Sequence, residues 1–277
     1  MPITVFAVVM VAALLHASWN ALVKSAPDKL LITILVTSCA AAISLASLPF
    51  LNQPERASWP YAIGSAALQT AYFMLIARTY HVADLSQTYP IMRGAAPLLV
   101  AAFTAVSASE FLSATAWIGV VTICIGIFTM ALGNPVRDAK GVYLALVNSV
   151  VIAGYTLIDG WGVRRSGAPA AYTLYVFLIT GLPLVTWAVV KRRAAFVDYV
   201  SRHWQMGIAG AIGMTASYGL ALWAMTLAPV AVIAALRETA ILFATLIAWL
   251  ILKEHISRRR VFAVCIIAAG AAVLRLA

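Results

Sequence analysis

A chain of 277 residues that is 64% hydrophobic and 10% charged, with a mean hydropathy of +0.97, carries more apolar surface than one soluble core of that size can bury. It reads as an integral membrane protein with no room left for a soluble domain. The net charge of +10 does not call for nucleic acid, because the basic residues mark the ends of apolar segments, where insertion bias and anionic lipid account for them.

A bilayer core about 30 Å thick takes roughly 20 residues per helix. Helices are predicted over 3–23, 30–50, 59–79, 83–107, 113–133, 140–160, 169–190, 203–226, 228–251 and 259–276. The separators carry loop chemistry: Lys24 to Lys29 with Pro27, Asn52 to Ser58 with Pro54, Gly133 to Lys140 with Pro135, Arg164 to Pro169, Lys191 to Arg202, and Lys253 to Arg260. The first segment has no basic leader and is longer than a signal-peptide core, so it reads as a helix. A β-barrel is excluded, since the segments are continuously apolar and lack alternation. The fold class is therefore an all-α membrane bundle.

In chain order, His16, Trp19 and Asn20 line one face of the first helix, and Gln69 and Tyr72 one face of the third. On the fourth, Ser86, Tyr89 and Arg93 share a face, and Pro90 and Pro97 interrupt the helix and free carbonyls. Asn148, Tyr155 and Asp159 form a stripe on the sixth. Tyr218 and Trp223 lie on the eighth, together with a small-residue face of Gly207, Gly210 and Gly213 suited to close helix approach. For each aromatic or amide residue the alternative is an interfacial belt position or an interhelical hydrogen bond. His81 and Asp84 read as loop residues. Cys39, Cys124 and Cys265 sit in apolar segments without metal-ligand spacing, and no cofactor is implied.

Arg93 and Arg237 lie near the middle of the fourth and ninth helices, where a charge costs at least about 2.5–3.5 kcal/mol and faces a cavity or a partner. The functional reading is a pair of guanidinium forks that bind a carboxylate, phosphate or phosphonate. The structural reading ties them to Glu238 and to helix carbonyls. Glu238, next to Arg237, projects about 100° away from it. It is placed to neutralise Arg93 from the other half of the chain or to carry a coupling proton.

The two arginines belong to a repeat. Shifting Tyr89 to Ala131 by 144 positions lays it on Ile233 to Arg275, pairing Arg93 with Arg237, Leu98 with Leu242, Glu110 with Glu254, Ser113 with Ser257, Ile123 with Ile267 and Gly126 with Gly270. Ten helices thus read as five plus five, with boundaries at 1–138 and 139–277. Because five is odd, the copies enter the membrane in opposite senses, an inverted repeat with its site at the interface. The odd-numbered connections carry thirteen Lys and Arg and the even-numbered connections with the C-terminus four. The positive-inside rule then puts both termini outside the cytoplasm.

His16-Ala-Ser-Trp-Asn-Ala-Leu-Val-Lys24 closing the first helix, the helix-end acids in Ser109-Glu110 and Lys253-Glu254, and the Gly-containing helices after each resemble the EamA-type, ten-helix members of the drug/metabolite transporter superfamily. The resemblance implies a basket-shaped bundle whose cavity is lined by the third, fourth, eighth and ninth helices, with the first and sixth contributing. It implies a multi-pass protein of a bacterial-type inner (plasma) membrane and a non-enzymatic function. Sugar-phosphate and triose-phosphate translocators of this superfamily use basic residues on the fourth and ninth helices, which supports an anionic substrate. Members commonly have cytoplasmic termini and a Gly before the helix-end acid. Here Ser109 and Lys253 stand in the Gly places.

The expected function is secondary active transport of a small organic anion or zwitterion by alternating access, as a monomer or homodimer in the lipid bilayer. The expected substrate-binding residues are Arg93, Arg237, Glu238, Tyr89, His16, Asn20, Trp19, Gln69, Tyr72, Tyr155 and Tyr218. Without a phosphate-binding loop, the driving force is a coupling proton or an exchanged solute. The alternative is export of aromatic or other amino acids, with Tyr72, Tyr155 or Trp223 against the side chain. A non-transporting scaffold and an intramembrane enzyme are remote, the latter for lack of a catalytic motif.

Overall fold

A computed structural model describes residues 1–82, 85–107, 110–131, 139–251 and 253–277, with the side chains of 77, 78, 80–82 and 85–87 left aside. Asp84 and Ser109, and the side chains of His81 and Ser86, lie outside that description. All regular structure among the described residues is helical: α1 (Ile3–Ser25), α2 (Lys29–Ser47), α3 (Trp59–Val82), α4 (Leu85–Val106), α5 (Ala114–Ala131), α6 (Ala139–Ser166), α7 (Pro169–Met225), α8 (Val230–Arg237), α9 (Ala240–Leu250) and α10 (Arg258–Leu276). Seven helical stretches among the described residues are long and apolar enough to cross a membrane, with α8 and α9 together forming one of them. The protein is a multi-pass membrane protein.

Local chemistry sets the helix ends. Asp28 caps α2, its Oδ1 accepting from the Leu30 and Leu31 amides at 2.9 Å each. Ser257 caps α10 in the same way through the Arg260 amide. Pro90 and Pro97 both lie inside α4.

Two predicted boundaries are corrected. Lys191 to Arg202, read as a loop between two helices, is helical except at Arg192 (φ −140°, ψ 35°), where a kink separates the two helices that make up the 57 residues of α7. A basic cluster marks an exposed surface without deciding between loop and helix. Here the pair from Arg202 to Asp198, one turn apart at 2.7 Å, suits a solvated helix. The segment 228–251, read as one helix, is broken between α8 and α9. Glu238 and Thr239 donate their amides to Ala235 and Leu236, and Ile241 and Leu242 donate theirs to Glu238 and Thr239, so the turn tightens to three-residue bonds.

α2 packs along α7, α5 along α10, α3 along α6, α1 against α7 and α9, and α4 against α5 and α6. Glycines permit the closest crossings. A Cβ on Gly126 would lie 2.7 Å from Ile267 Cγ1 and 3.0 Å from the Ala263 carbonyl, and one on Gly270 would lie 2.8 Å from the Ile123 amide. The small-residue face of Gly207, Gly210 and Gly213 rests on Leu35, Val36 and Trp19, which makes it a packing surface between α7 and the first two helices.

Candidate functional site

The broken helix places Arg237 at the end of α8 and Glu238 in the break itself, where tightened turns leave the backbone unlike that of a continuous helix. Irregular backbone of this kind inside a membrane protein is tolerated where it is buried in protein or lines a cavity. Arg93 reaches this break from α4. Its Nη2 lies 2.8 Å from Glu238 Oε1 and its Nε donates to Oε2 at 2.9 Å, with side-chain exposures of 11% and 6%. This is a bidentate, desolvated ion pair. Arg93 thus has its acid within the protein.

Arg237 is placed differently. Its guanidinium lies over the Tyr218 ring, 4.9 Å from the centroid, in cation–π geometry. Among the described residues no carboxylate lies within salt-bridge distance of it. It faces a cavity of about 150 Å³ whose lining includes His16, Trp19, Asn20, Gln69, Tyr72, Tyr89, Arg93, Tyr155 and Tyr218. The sequence-predicted residues are therefore brought together around one space, with Glu238 behind Arg93. Trp223 does not line it and is 37% exposed.

The lining is aromatic with scattered polar atoms. Tyr72 and Tyr155 meet edge-on at 6.1 Å, Phe177 and Tyr218 at 5.7 Å, and His16 and Trp19 at 5.4 Å. Asn20 spends its amide on its own helix, donating to the His16 carbonyl at 2.7 Å, rather than on a neighbouring helix. Trp19 Nε1 and Thr180 Oγ1 are buried polar atoms with no hydrogen-bond partner among the described residues, and both residues line the cavity. Phe73, Phe177, Thr180 and Met214 were not singled out by sequence. Apolar residues and single threonines in apolar helices carry no distinguishing signal.

A second cavity of about 170 Å³ shares His16, Asn20, Tyr89 and Arg93 with the first and extends past Pro90, Met130 and Ile241 to Arg260. Arg260 Nε donates to Thr245 Oγ1 at 3.1 Å. The two spaces adjoin through those shared side chains, toward the end of the bundle where Lys24 pairs with Glu254 at 2.6 Å. That pair is exposed, and the hydrogen bond from Lys24 holds the Glu254 carboxyl below its usual value.

The opposite end is tied more tightly. Arg164 in the last turn of α6 meets Glu110 at 2.6 Å. It also donates to the Met225 and Ala228 carbonyls at 2.7 and 2.9 Å, while Glu110 accepts from the Val230 amide at 2.8 Å. Glu110 and Glu254 thus each hold the basic residue in the last turn of a helix, Arg164 of α6 and Lys24 of α1.

The EamA-like transporter family model matches residues 139–276. A solved crystal structure superposes on the chain with a TM-score of 0.75 at 17% sequence identity, covering 100% of this chain and 98% of the other. At that identity the likeness carries the fold alone. Comparison with curated proteins gave no match.

Proposed function

Because the chain belongs to the EamA-like transporter family of the drug/metabolite transporter superfamily, we infer that it is a secondary transporter for a small organic anion or zwitterion, and that Arg237 binds the acid group. The observation that carries this reading is the asymmetry between the two midplane arginines. Arg93 is neutralised by Glu238, whereas Arg237 faces the cavity with only an aromatic ring beneath it. A cation in that position offers the cavity a positive charge whose complement is an anion. The predicted clamp of two arginines is revised to one binding arginine and one positioning arginine, with Arg93 and Glu238 fixing the break that presents Arg237. Trp19 and Thr180 offer open hydrogen-bonding atoms, and the tyrosines enclose the rest of the solute.

The ten-crossing, inverted-repeat organisation, with halves 1–138 and 139–277, is part of the same proposal. α7 at 57 residues is roughly 85 Å of helix, far more than one crossing needs, and Arg192 divides it into two arms. The packing partners also exchange between halves. The contact of α1 with the second arm mirrors that of α3 with α6, and α4 on α6 mirrors α9 on α1. Alternating access follows from such symmetry. In the present arrangement the Arg164 end is knotted, and the adjoining cavity leads toward the Lys24 end.

The aromatic enclosure favours one second reading, in which the solute is an aromatic amino acid with its carboxylate on Arg237. Uptake into proteoliposomes of carboxylates, phosphonates, phosphate esters, amino acids and organic cations tests both. Movement restricted to acid-bearing solutes is expected, with competition by phenylalanine marking the second reading. Equal movement of cations and neutral solutes overturns both.

A further inference from the structure

Below the Arg164 end, about 7.5 Å along α6 at 1.5 Å per residue, a second acid is buried in a setting unlike that of Glu238. Asp159 is completely buried, and among the described residues no cation lies within salt-bridge distance of it. Its Oδ1 accepts from Tyr172 at 2.9 Å. Its Oδ2 accepts from Ser65 at 2.7 Å, from Tyr218, and from Gln69 at 3.4 Å. Within a membrane protein, an ionisable side chain buried in this way marks a functional site by default.

The choice of donors matters. Glu238 is held by a guanidinium, which only donates and so fixes the carboxylate form. Asp159 is held mainly by hydroxyls, which donate to a carboxylate and, after rotating, accept from a carboxylic acid. The cluster therefore supplies partners to either protonation state. The charged and titratable groups facing it are Tyr172 and Tyr218 from α7, Tyr61 from α3, Tyr155 one turn away on α6, and Arg237 from α8 at longer range. On α4, Arg93 is occupied by Glu238. Tyr218 joins the acid to the cavity, since the ring that Arg237 lies on carries the hydroxyl that Asp159 receives.

We propose that Asp159 is the proton-binding site that couples transport, with Tyr218 relaying its protonation state to Arg237. One proton adds to the carboxylate Oδ2 and later leaves from it, and no other bond is made or broken. In the carboxylate state Tyr218 donates to Asp159 and holds its ring beneath Arg237. In the acid state the Oδ2–H donates, the Tyr218 hydroxyl turns to accept from it, the ring shifts beneath Arg237, and Arg237 is freed for the anionic solute. The proposal rests on the transport reading, but the proton site can be measured without a substrate.

The first arm is infrared spectroscopy of the purified protein during a pH titration. A protonated-carboxyl C=O band that titrates in the wild type, is missing from Asp159→Asn and returns in Asp159→Glu is expected. The absence of any wild-type band that Asp159→Asn removes overturns the proposal. The second arm uses vesicles loaded with a pH dye and challenged with phenylphosphonate or phenylalanine. The wild type is expected to admit protons with the solute, and Asp159→Asn to lose this at least tenfold while keeping exchange of labelled solute at equal pH. A gradient of one pH unit is worth about tenfold accumulation for one proton, and the variant should flatten it. Exchange in the wild type without proton movement also overturns the proposal. If neither solute moves, the transport reading loses support and the infrared arm alone decides the proton site. If Asp159→Asn fails to fold, Tyr172→Phe, which removes a hydroxyl from Asp159 Oδ1 without touching the cavity lining, takes its place, with a shifted titration of the carboxyl band expected and an unshifted one overturning the proposal.

Discussion

Glu238→Gln removes the acid that holds Arg93, and the structure gives the size of the effect. The pair has two contacts at 2.8 and 2.9 Å with both side chains nearly out of reach of solvent. At about 4 Å and an effective dielectric near 20, two unit charges interact by about 4 kcal/mol, and removing one partner of a buried pair costs about 3–5 kcal/mol because the other charge is left uncompensated. Glu238→Gln and Arg93→Gln are each expected to destabilise the protein by that amount. The double variant is expected to lose no more than either single variant, which corresponds to a coupling energy of at least about 3 kcal/mol. The assay is denaturant unfolding of detergent-purified protein, run on the wild type, both single variants and the double variant. Additive losses would mean the two side chains are not coupled, and the assignment of Arg93 as the arginine with an internal acid would be refuted.

Gly126→Ala and Gly270→Ala each drive a methyl group into backbone across the α5–α10 crossing, and each is expected to cost about 1–3 kcal/mol in the same unfolding assay. Arg164→Gln strips two carbonyls and Glu110 of their donor at the knotted end and is expected to lose about 2 kcal/mol. It should also raise cysteine-labelling rates of reporters placed near Ala228. At the other end, the folded state lowers the Glu254 carboxyl below its ordinary 4.5. The Lys24 pair is therefore fully present above that value and is lost as pH falls through the lowered one. Lys24→Gln is expected to move the Glu254 titration, followed by carbon NMR of the carboxyl, upward toward 4.5. Salt should weaken the wild-type pair, which is exposed.

The membrane class and the helical segments were legible because a bilayer demands length and apolarity, and both are written residue by residue. The residues around the cavity were legible for the same reason, since His16, Gln69, Arg93 and Arg237 stand out against an apolar background. The pairing of Glu238 with Arg93 was legible as one of two roles for that acid, but the sequence did not choose between them. Arg93 and Arg237 occupy matched repeat positions, yet Glu238 follows only the second and reaches across to the first, so a symmetric pattern gives two unlike arginines. The break after Arg237 has no Gly or Pro to announce it, and the helical turn through Lys191 to Arg202 looks like a loop because charge reports exposure alone. Asp159 was seen as one member of a polar stripe. Its ring of donors comes from Ser65, Gln69, Tyr172 and Tyr218, spread over two other helices, and nothing in their spacing draws them together.

The most direct test of the central claim is proteoliposome uptake of an acid-bearing solute by Arg237→Gln compared with the Arg93→Gln, Glu238→Gln double variant. Arg237→Gln is expected to fold normally and lose uptake by at least about tenfold, the equivalent of one charge-assisted hydrogen bond of about 1.5–3 kcal/mol, whereas the double variant retains measurable uptake. Undiminished uptake by Arg237→Gln would contradict the account.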